Sequence, residues 1–217
     1  MTLVLGLDTA TDRATIALGA PARAGTHEVA LPARRELSRD IERVTAELLR
    51  REHAEPGDLG GVIVADGPGS FTGLRIGIAF AKGLCRALGI PLWTTPSMLG
   101  AATSVARSVG ASVRGLTVVV EYDALRGEVY RAVYGFEGGA VVALAAPELA
   151  PAGSGADGGP GHATAGEAQA SAASLIAALD MKGGAVRVPD PAAWEPAYGR
   201  PAEAEARRLR QGGGDDR

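Results

Sequence analysis

The chain has 217 residues, 46% of them apolar, so it has material for one large domain or two lobes with cores of their own. Its formal charge of −3 gives no overall basic field, which argues against RNA binding by this chain alone, because phosphate contacts dominate such affinity. Cys85 is the only cysteine, which excludes an intrachain disulfide and a cysteine zinc site, and no apolar run approaches the ~20 residues of a membrane span. The opening MTLVLGLDTA meets an acid at Asp8 without a basic leader, so it is read as a strand rather than a signal peptide, with the cytoplasm as the expected location.

In chain order, Leu3–Asp8 is a near-continuous apolar strand, and Ala14–Leu18 returns as its hairpin partner. Glu28–Leu31 is a third predicted strand. Ser38–Glu52 follows as an amphipathic helix, with Leu37, Ile41, Val44 and Leu48 on one stripe and Ser38 as the expected cap. Val62–Ala65 is a buried strand, Gly67-Pro68-Gly69 a turn, and a long helix runs to Leu88, with Ser70 or Thr72 placed to cap it. Ile90–Thr94 is a strand, and a short alanine-rich helix runs from Ser97 to about Val109. A second unit begins near Ser112. Its predicted strands are Leu116–Tyr122, Glu128–Phe136 and Ala140–Leu144, and like the first it opens with a strand that ends in Asp and turns back. Residues 151–170 are rich in Pro, Gly, Ala and Ser and are expected to be disordered. Beyond them, Ala172–Leu179 reads as a helix, Ala185–Val188 as a strand and the stretch from Pro201 as helical, with a disordered tail at 211–217. The domain reading is therefore a lobe over 1–110 and a smaller lobe over 111–217.

The long helix after the Gly-Pro-Gly turn has an unusual composition. Gly69, Gly73, Gly77, Ala81 and Cys85 recur at i, i+4 and share one face; Ile76, Phe80 and Ala87 lie on a second, and Arg75, Lys82 and Arg86 form a polar stripe. Glycine inside a helix costs ~1 kcal/mol relative to alanine, so another backbone is expected to approach the small-residue face. Helix physics leaves two readings open: burial within its own domain, or packing against a partner subunit.

Candidate chemistry is sparse. Asp8, Thr9 and Thr11 in LGLDTATDRATIAL are the best candidates for a phosphate loop, with Asp8 holding Mg²⁺ through water; a plain turn cap is the alternative. No Gly-Lys-Ser/Thr follows the Gly67 turn, so it is not a P-loop. His27, His53 and His162 lack metal-ligand spacing, no G-x-S-x-G elbow is present, and Cys85 reads as a packing residue. Asp123, Arg126 and Glu128 form a charged hairpin cluster that most simply solvates a turn. No catalytic residue and no metal ligand is nominated.

Three segments carry a family resemblance: LGLDTATDRATIAL, DGPGSFTGLRIGIAFAKGL and VVVEYDALRGEVYRAVY, with Tyr198-Gly199-Arg200-Pro201 resembling the end of the pattern. They resemble the TsaB (YeaZ-like) family, the dimerisation subunit in threonylcarbamoyladenosine modification of tRNA. Two departures stand out. Leu125 replaces an expected Arg, and Leu37 stands before Ser38 where the family commonly has His. The resemblance implies an α/β, two-lobed fold of the actin-like ATPase and ribonuclease H kind, with a mixed sheet, helices and here a reduced second lobe. It implies a cytoplasmic, non-catalytic scaffold that binds and activates a TsaD-type transferase acting on N6 of the adenosine beside the anticodon. A TsaE-type ATPase joins through the complex, tRNA is met only as part of it, and a homodimer through the same helix is a further candidate. No cofactor is required of this chain; ATP with Mg²⁺ and a metal are expected on the partner subunits. Carried over by position, Gly69, Gly73, Ile76, Gly77, Phe80 and Ala81 would form the partner interface. The alternatives are a small-molecule kinase or ATPase of the actin superfamily, and a disfavoured peptidase-like protein.

Overall fold

The computed structural model describes residues 2–21, 25–32, 36–110, 115–124, 126–153 and 161–196. The first sheet grows outward from β1 (Leu3–Asp8). β2 (Arg13–Gly19) and β3 (His27–Pro32) pair with it as an antiparallel meander, Leu7 opposite Ile16 and Ile16 opposite Val29. On its other side β4 (Leu59–Ala65) and β5 (Leu92–Thr95) run parallel to it, with Leu7 beside Val64 and Val64 beside Thr94. Parallel neighbours need crossovers. α1 (Leu37–Arg51) leads from the meander to β4, and α2 (Phe71–Leu88) connects β4 to β5. The strand order is β10-β5-β4-β1-β2-β3, where β10 (Val186–Val188) closes the edge antiparallel to β5. Three antiparallel strands followed by parallel ones, with helices on both faces, is a ribonuclease H-like arrangement, the fold that the family resemblance implies.

Strand alternation divides the core. Leu5, Leu7, Ile16, Leu18, Val62 and Val64 face Leu37, Ile41, Val44 and Leu48 of α1 and Leu74 and Ile78 of α2. The opposite side, with Val4, Ala17, Ile63 and Ala65, packs on Ala172, Leu175 and Ile176 of α4 (Ala172–Ala178). Gly6 permits that contact: a Cβ there would stand 2.6 Å from the Ala172 carbonyl oxygen.

α3 (Ser97–Val109) leads into the second sheet. β6 (Leu116–Asp123), β7 (Glu128–Glu137) and β8 (Ala140–Pro151) form an antiparallel meander, β9 (His162–Ala165) runs parallel to β6, and the order is β8-β7-β6-β9. One face packs Val118, Val120, Tyr122, Tyr130, Ala132, Tyr134 and Phe136 on Met98, Leu99, Ala101 and Ala102 of α3. On β8, at the sheet edge, Val142 and Leu144 are exposed.

Several expectations change. The boundary at residue 110 does not divide the sheets, because α4 and β10 return to the first one. Its exposed apolar side and open edge are filled from the far end of the chain. Within 151–170, expected to be disordered, His162–Ala165 is a strand held by pairing with Thr117–Val120. β8 runs to Pro151 rather than Leu144, resuming its pairing after register shifts at Arg131–Tyr134. Pro147 fits there because β8 is an edge strand. Ser38 does not cap α1: the helix starts at Leu37, with Glu36 before it and no side-chain cap bond. Leu37 itself is buried in the core, which gives the apolar residue at that position a packing role. The predicted helix from Pro201, the 211–217 tail, Leu125 and Tyr198–Pro201 lie outside the described residues. Among the described residues no helix is long and apolar enough to cross a membrane.

Candidate functional site

β1 ends in a closed turn. Asp8 is 1% exposed; its Oδ1 accepts from the Ala10 amide at 3.1 Å and its Oδ2 from the Ser97 hydroxyl at 2.6 Å. Burial pushes this carboxyl above its ordinary value, the bonds from Ser97 and Ala10 pull the other way, and the charge of Glu28 adds to the rise. Thr9 is fully buried and its Oγ1 has no partner among the described residues. Thr11 closes its own turn, donating to the Arg13 carbonyl at 3.0 Å and accepting from the Arg13 amide at 3.3 Å. A Mg-nucleotide needs carboxylate oxygens facing water and open turn donors. As arranged here, Asp8, Thr9 and Thr11 form a buried turn with both Asp8 oxygens and the Thr11 hydroxyl already bonded, and do not present that open set. Among the described residues no three His, Cys, Asp or Glu side chains are grouped to hold a metal.

The turn is packed because α2 lies on it. Ser70 caps the helix, its Oγ accepting from the Gly73 amide at 3.2 Å, and Gly89 ends it in the left-handed conformation at φ 66°. The Ser70 amide donates to the Ala10 carbonyl at 2.6 Å. A Cβ on Gly69 would overlap the Ala10 carbonyl, one on Gly73 the Thr9 carbonyl and one on Gly77 the Thr9 hydroxyl. Ala81 and Cys85 continue this face into the core. The small-residue face therefore receives a backbone, as expected, but that backbone is the chain's own β1–β2 turn. Of the residues expected at a partner interface, Gly69, Gly73, Gly77 and Ala81 make these contacts within the chain. Cys85 is the packing residue it was expected to be: its Sγ lies 3.6 Å from the Pro91 carbonyl, and burial pushes its thiol up to about 11.

The opposite face of α2 is free of the chain's own core. Thr72, Arg75, Ala79, Gly83, Arg86 and Ala87 are exposed, with Ile76 and Phe80 half-buried along its border. Arg75 lies 4.9 Å over the Phe71 ring. On one flank Lys82 donates to the Trp194 carbonyl and stands 5.5 Å from that ring, with Glu195 at 3.9 Å. Gly83 differs from the glycines of the inner face: a Cβ there would meet nothing within 4 Å. Ala79, which periodicity places beside the polar stripe, stands i, i+4 from Gly83 on this outer face.

Between the sheets, residues absent from the sequence reading come together. Ser97 Oγ lies 3.2 Å from the Tyr122 hydroxyl, which donates to the Ser97 carbonyl at 3.1 Å. Burial raises the Asp66 carboxyl against the bond from Thr94. Burial, with the charge of Asp66, raises the Tyr134 phenol, whose oxygen has no partner among the described residues. Glu167 is raised by burial, opposed by the Asp123 amide it accepts at 2.9 Å, with the Asp123 and Asp12 charges adding to the rise. The available signal was positional: Asp8, Asp66, Ser97 and Tyr122 all lie at or just beyond strand ends.

A family model described as "TsaD: tRNA N6-adenosine threonylcarbamoyltransferase" matches residues 31–174. Among curated proteins, the chain is similar to the tRNA threonylcarbamoyladenosine biosynthesis protein TsaB of Escherichia coli K12, with 32% identity over 60% of this chain and 54% of that protein. It is also similar to the protein of the same name from Bacillus subtilis 168, with 39% identity over 39% of this chain and 34% of that one. The chain thus spans about half the length of the first relative and about a third of the second. Among solved structures, YeaZ from Pseudomonas aeruginosa superposes with a TM-score of 0.69 at 22% identity, covering 82% of this chain and 91% of that one. An uncharacterized protein described as similar to peptidase YEAZ, also from Pseudomonas aeruginosa, gives 0.76 at 21% identity, covering 92% and 100%. These two carry the fold.

Proposed function

The chain belongs to the TsaD family of tRNA N6-adenosine threonylcarbamoyltransferase-related proteins, on its TsaB (YeaZ-like) branch, and from that premise we propose that it is a non-catalytic docking subunit. In this reading it works in tRNA threonylcarbamoyladenosine biosynthesis in the cytoplasm. It binds and activates a TsaD-type catalytic subunit that modifies N6 of the adenosine beside the anticodon. A TsaE-type ATPase and the tRNA are met through that complex. Nucleotide and metal chemistry belong to the partner subunits in this reading.

The observation that carries it is Gly83. An exposed glycine inside a helix costs ~1 kcal/mol relative to alanine, and among the described residues nothing lies near enough to account for it. With Ala79 and Ala87 it makes the outer face of α2 flat and low, so a partner helix can approach closely. Ile76 and Phe80 supply half-buried apolar contact along its border, and Arg75 and Arg86 supply a charged rim. A second copy of this chain is the competing occupant of the same face.

The test is light scattering coupled to size-exclusion chromatography, on the chain alone and mixed with a TsaD-type partner. A heterodimer is expected for the parent and its loss for Gly83→Arg, with circular dichroism unchanged. A parent that ignores the partner sinks the reading. Gly77→Arg would not serve, since it breaks the internal packing on Thr9.

A further inference from the structure

Ser97 is fully buried at a place where three strand ends meet. Its amide donates to the Gly67 carbonyl just beyond β4, at 3.0 Å. Its hydroxyl donates to Asp8 at the end of β1, at 2.6 Å. Its carbonyl accepts from Tyr122 near the end of β6, at 3.1 Å, and its hydroxyl lies 3.2 Å from the same phenol. Gly67 and Asp8 belong with the first sheet and Tyr122 with the second. Asp8 and Tyr122 are each 1% exposed, so these bonds are made out of contact with water. Buried polar groups that lose a partner are left with their full desolvation penalty. Separating the two sheets at this end would break the bonds of the Asp8 Oδ2, the Ser97 hydroxyl and carbonyl and the Tyr122 phenol at once.

We propose that Asp8, Ser97 and Tyr122 form a latch that locks the two sheets in one relative setting. It occupies the position at which Asp8 would otherwise be available to a Mg-nucleotide. The first sheet, α2 included, then moves with the second sheet as one rigid body. The latch follows from the bonds within this chain and does not depend on the docking reading.

The test is hydrogen–deuterium exchange read by mass spectrometry on the isolated chain. The parent is compared with Ser97→Ala, Tyr122→Phe and Asp8→Asn. The expected result for Ser97→Ala is about tenfold faster exchange, the loss of roughly one buried bond, in both 97–101 and 118–122. The β1–β2 pairing is expected to keep its protection. Tyr122→Phe keeps the ring in place and is expected to loosen the same two stretches by a smaller factor, so it decides the matter if Ser97→Ala fails to fold. Asp8→Asn, which still offers an acceptor to Ala10 and gains a donor toward Ser97, is expected to exchange as the parent does. Exchange that stays unchanged in Tyr122→Phe, or that rises in one sheet only, overturns the latch. Magnesium with ATP is added as a further arm, and no change is expected; new protection at residues 8–11 would overturn the proposal by showing Asp8 free to serve a nucleotide.

Discussion

Gly77 and Gly83 stand on one helix six residues apart and have opposite surroundings. The inner face of α2 and the turn before it receive the Thr9–Ala10 backbone at Gly69 and Gly73 and the Thr9 side chain at Gly77, so closely that a single methyl would overlap them. At Gly83 the outer face meets nothing of its own chain among the described residues. The same residue type, with the same intrinsic cost in a helix, therefore answers two needs. Inside, it lets a strand-end turn dock on the helix. Outside, the cost stands without compensation in the isolated chain. Small residues in a helix mark close approach; which molecule approaches depends on what else the fold places there.

The sharpest way to break this contrast is to fill the inner face. Gly73→Val would push the Thr9 carbonyl away from the helix, and a loss of about 3 kcal/mol or more is expected from overpacking against backbone. Urea unfolding measures it, and a loss below ~1 kcal/mol would mean that the turn yields freely. On the outer face the largest effect is expected on binding. Gly83→Arg should weaken partner association by about a hundredfold, or ~2.7 kcal/mol, while the unfolding midpoint of the free chain stays near that of the parent. Gly83→Ala sharpens the comparison on a smaller scale. The free chain should gain ~1 kcal/mol of stability while partner affinity falls, a trade that Gly77→Ala cannot show.

The last difference is one of slope. Asp8 has its carboxyl raised above the ordinary 3.8, first by burial. An acid raised in the folded state contributes stability below its unfolded value, and that contribution is lost as pH rises through the folded value. The parent should therefore lose stability relative to Asp8→Asn as pH is raised from about 3.8 toward neutrality. Glu28 and Tyr122, which also face this carboxyl, stay constant between the two proteins. Parallel unfolding midpoints across that range would show that Asp8 is not held as described.

Much of the fold was legible because its first half is locally consistent. The apolar run Leu3–Asp8, the stripe of α1 and the cap at Ser70 each point to the element observed. The second half was less legible because its elements depend on distant partners. His162–Ala165, inside a stretch rich in Pro, Gly, Ala and Ser, is a strand only because Thr117–Val120 lies beside it, whereas Val186–Val188 was readable as a strand but not as the neighbour of Leu92–Thr94. Of α2, the sequence showed the small-residue face but not which of its small residues the chain itself would cover. What the sequence could not show for Asp8, Thr9 and Thr11 is their surroundings: Ser97 and α2 close over this turn.

By itself, the sequence determined which residues form helices and strands over most of the described chain, and it carried the family motifs. It determined that α2 must be met by a close backbone, because glycine at helical spacing has no other evident physical use. Only the tertiary structure decided that the β1–β2 turn takes the inner face and that Gly83 is left outside. Only it decided that Ser97 gathers Asp8, Gly67 and Tyr122 into one buried group. The reason is physical: periodicity reports that a face will be covered, while the chain connections and the bonds at strand ends select what covers it.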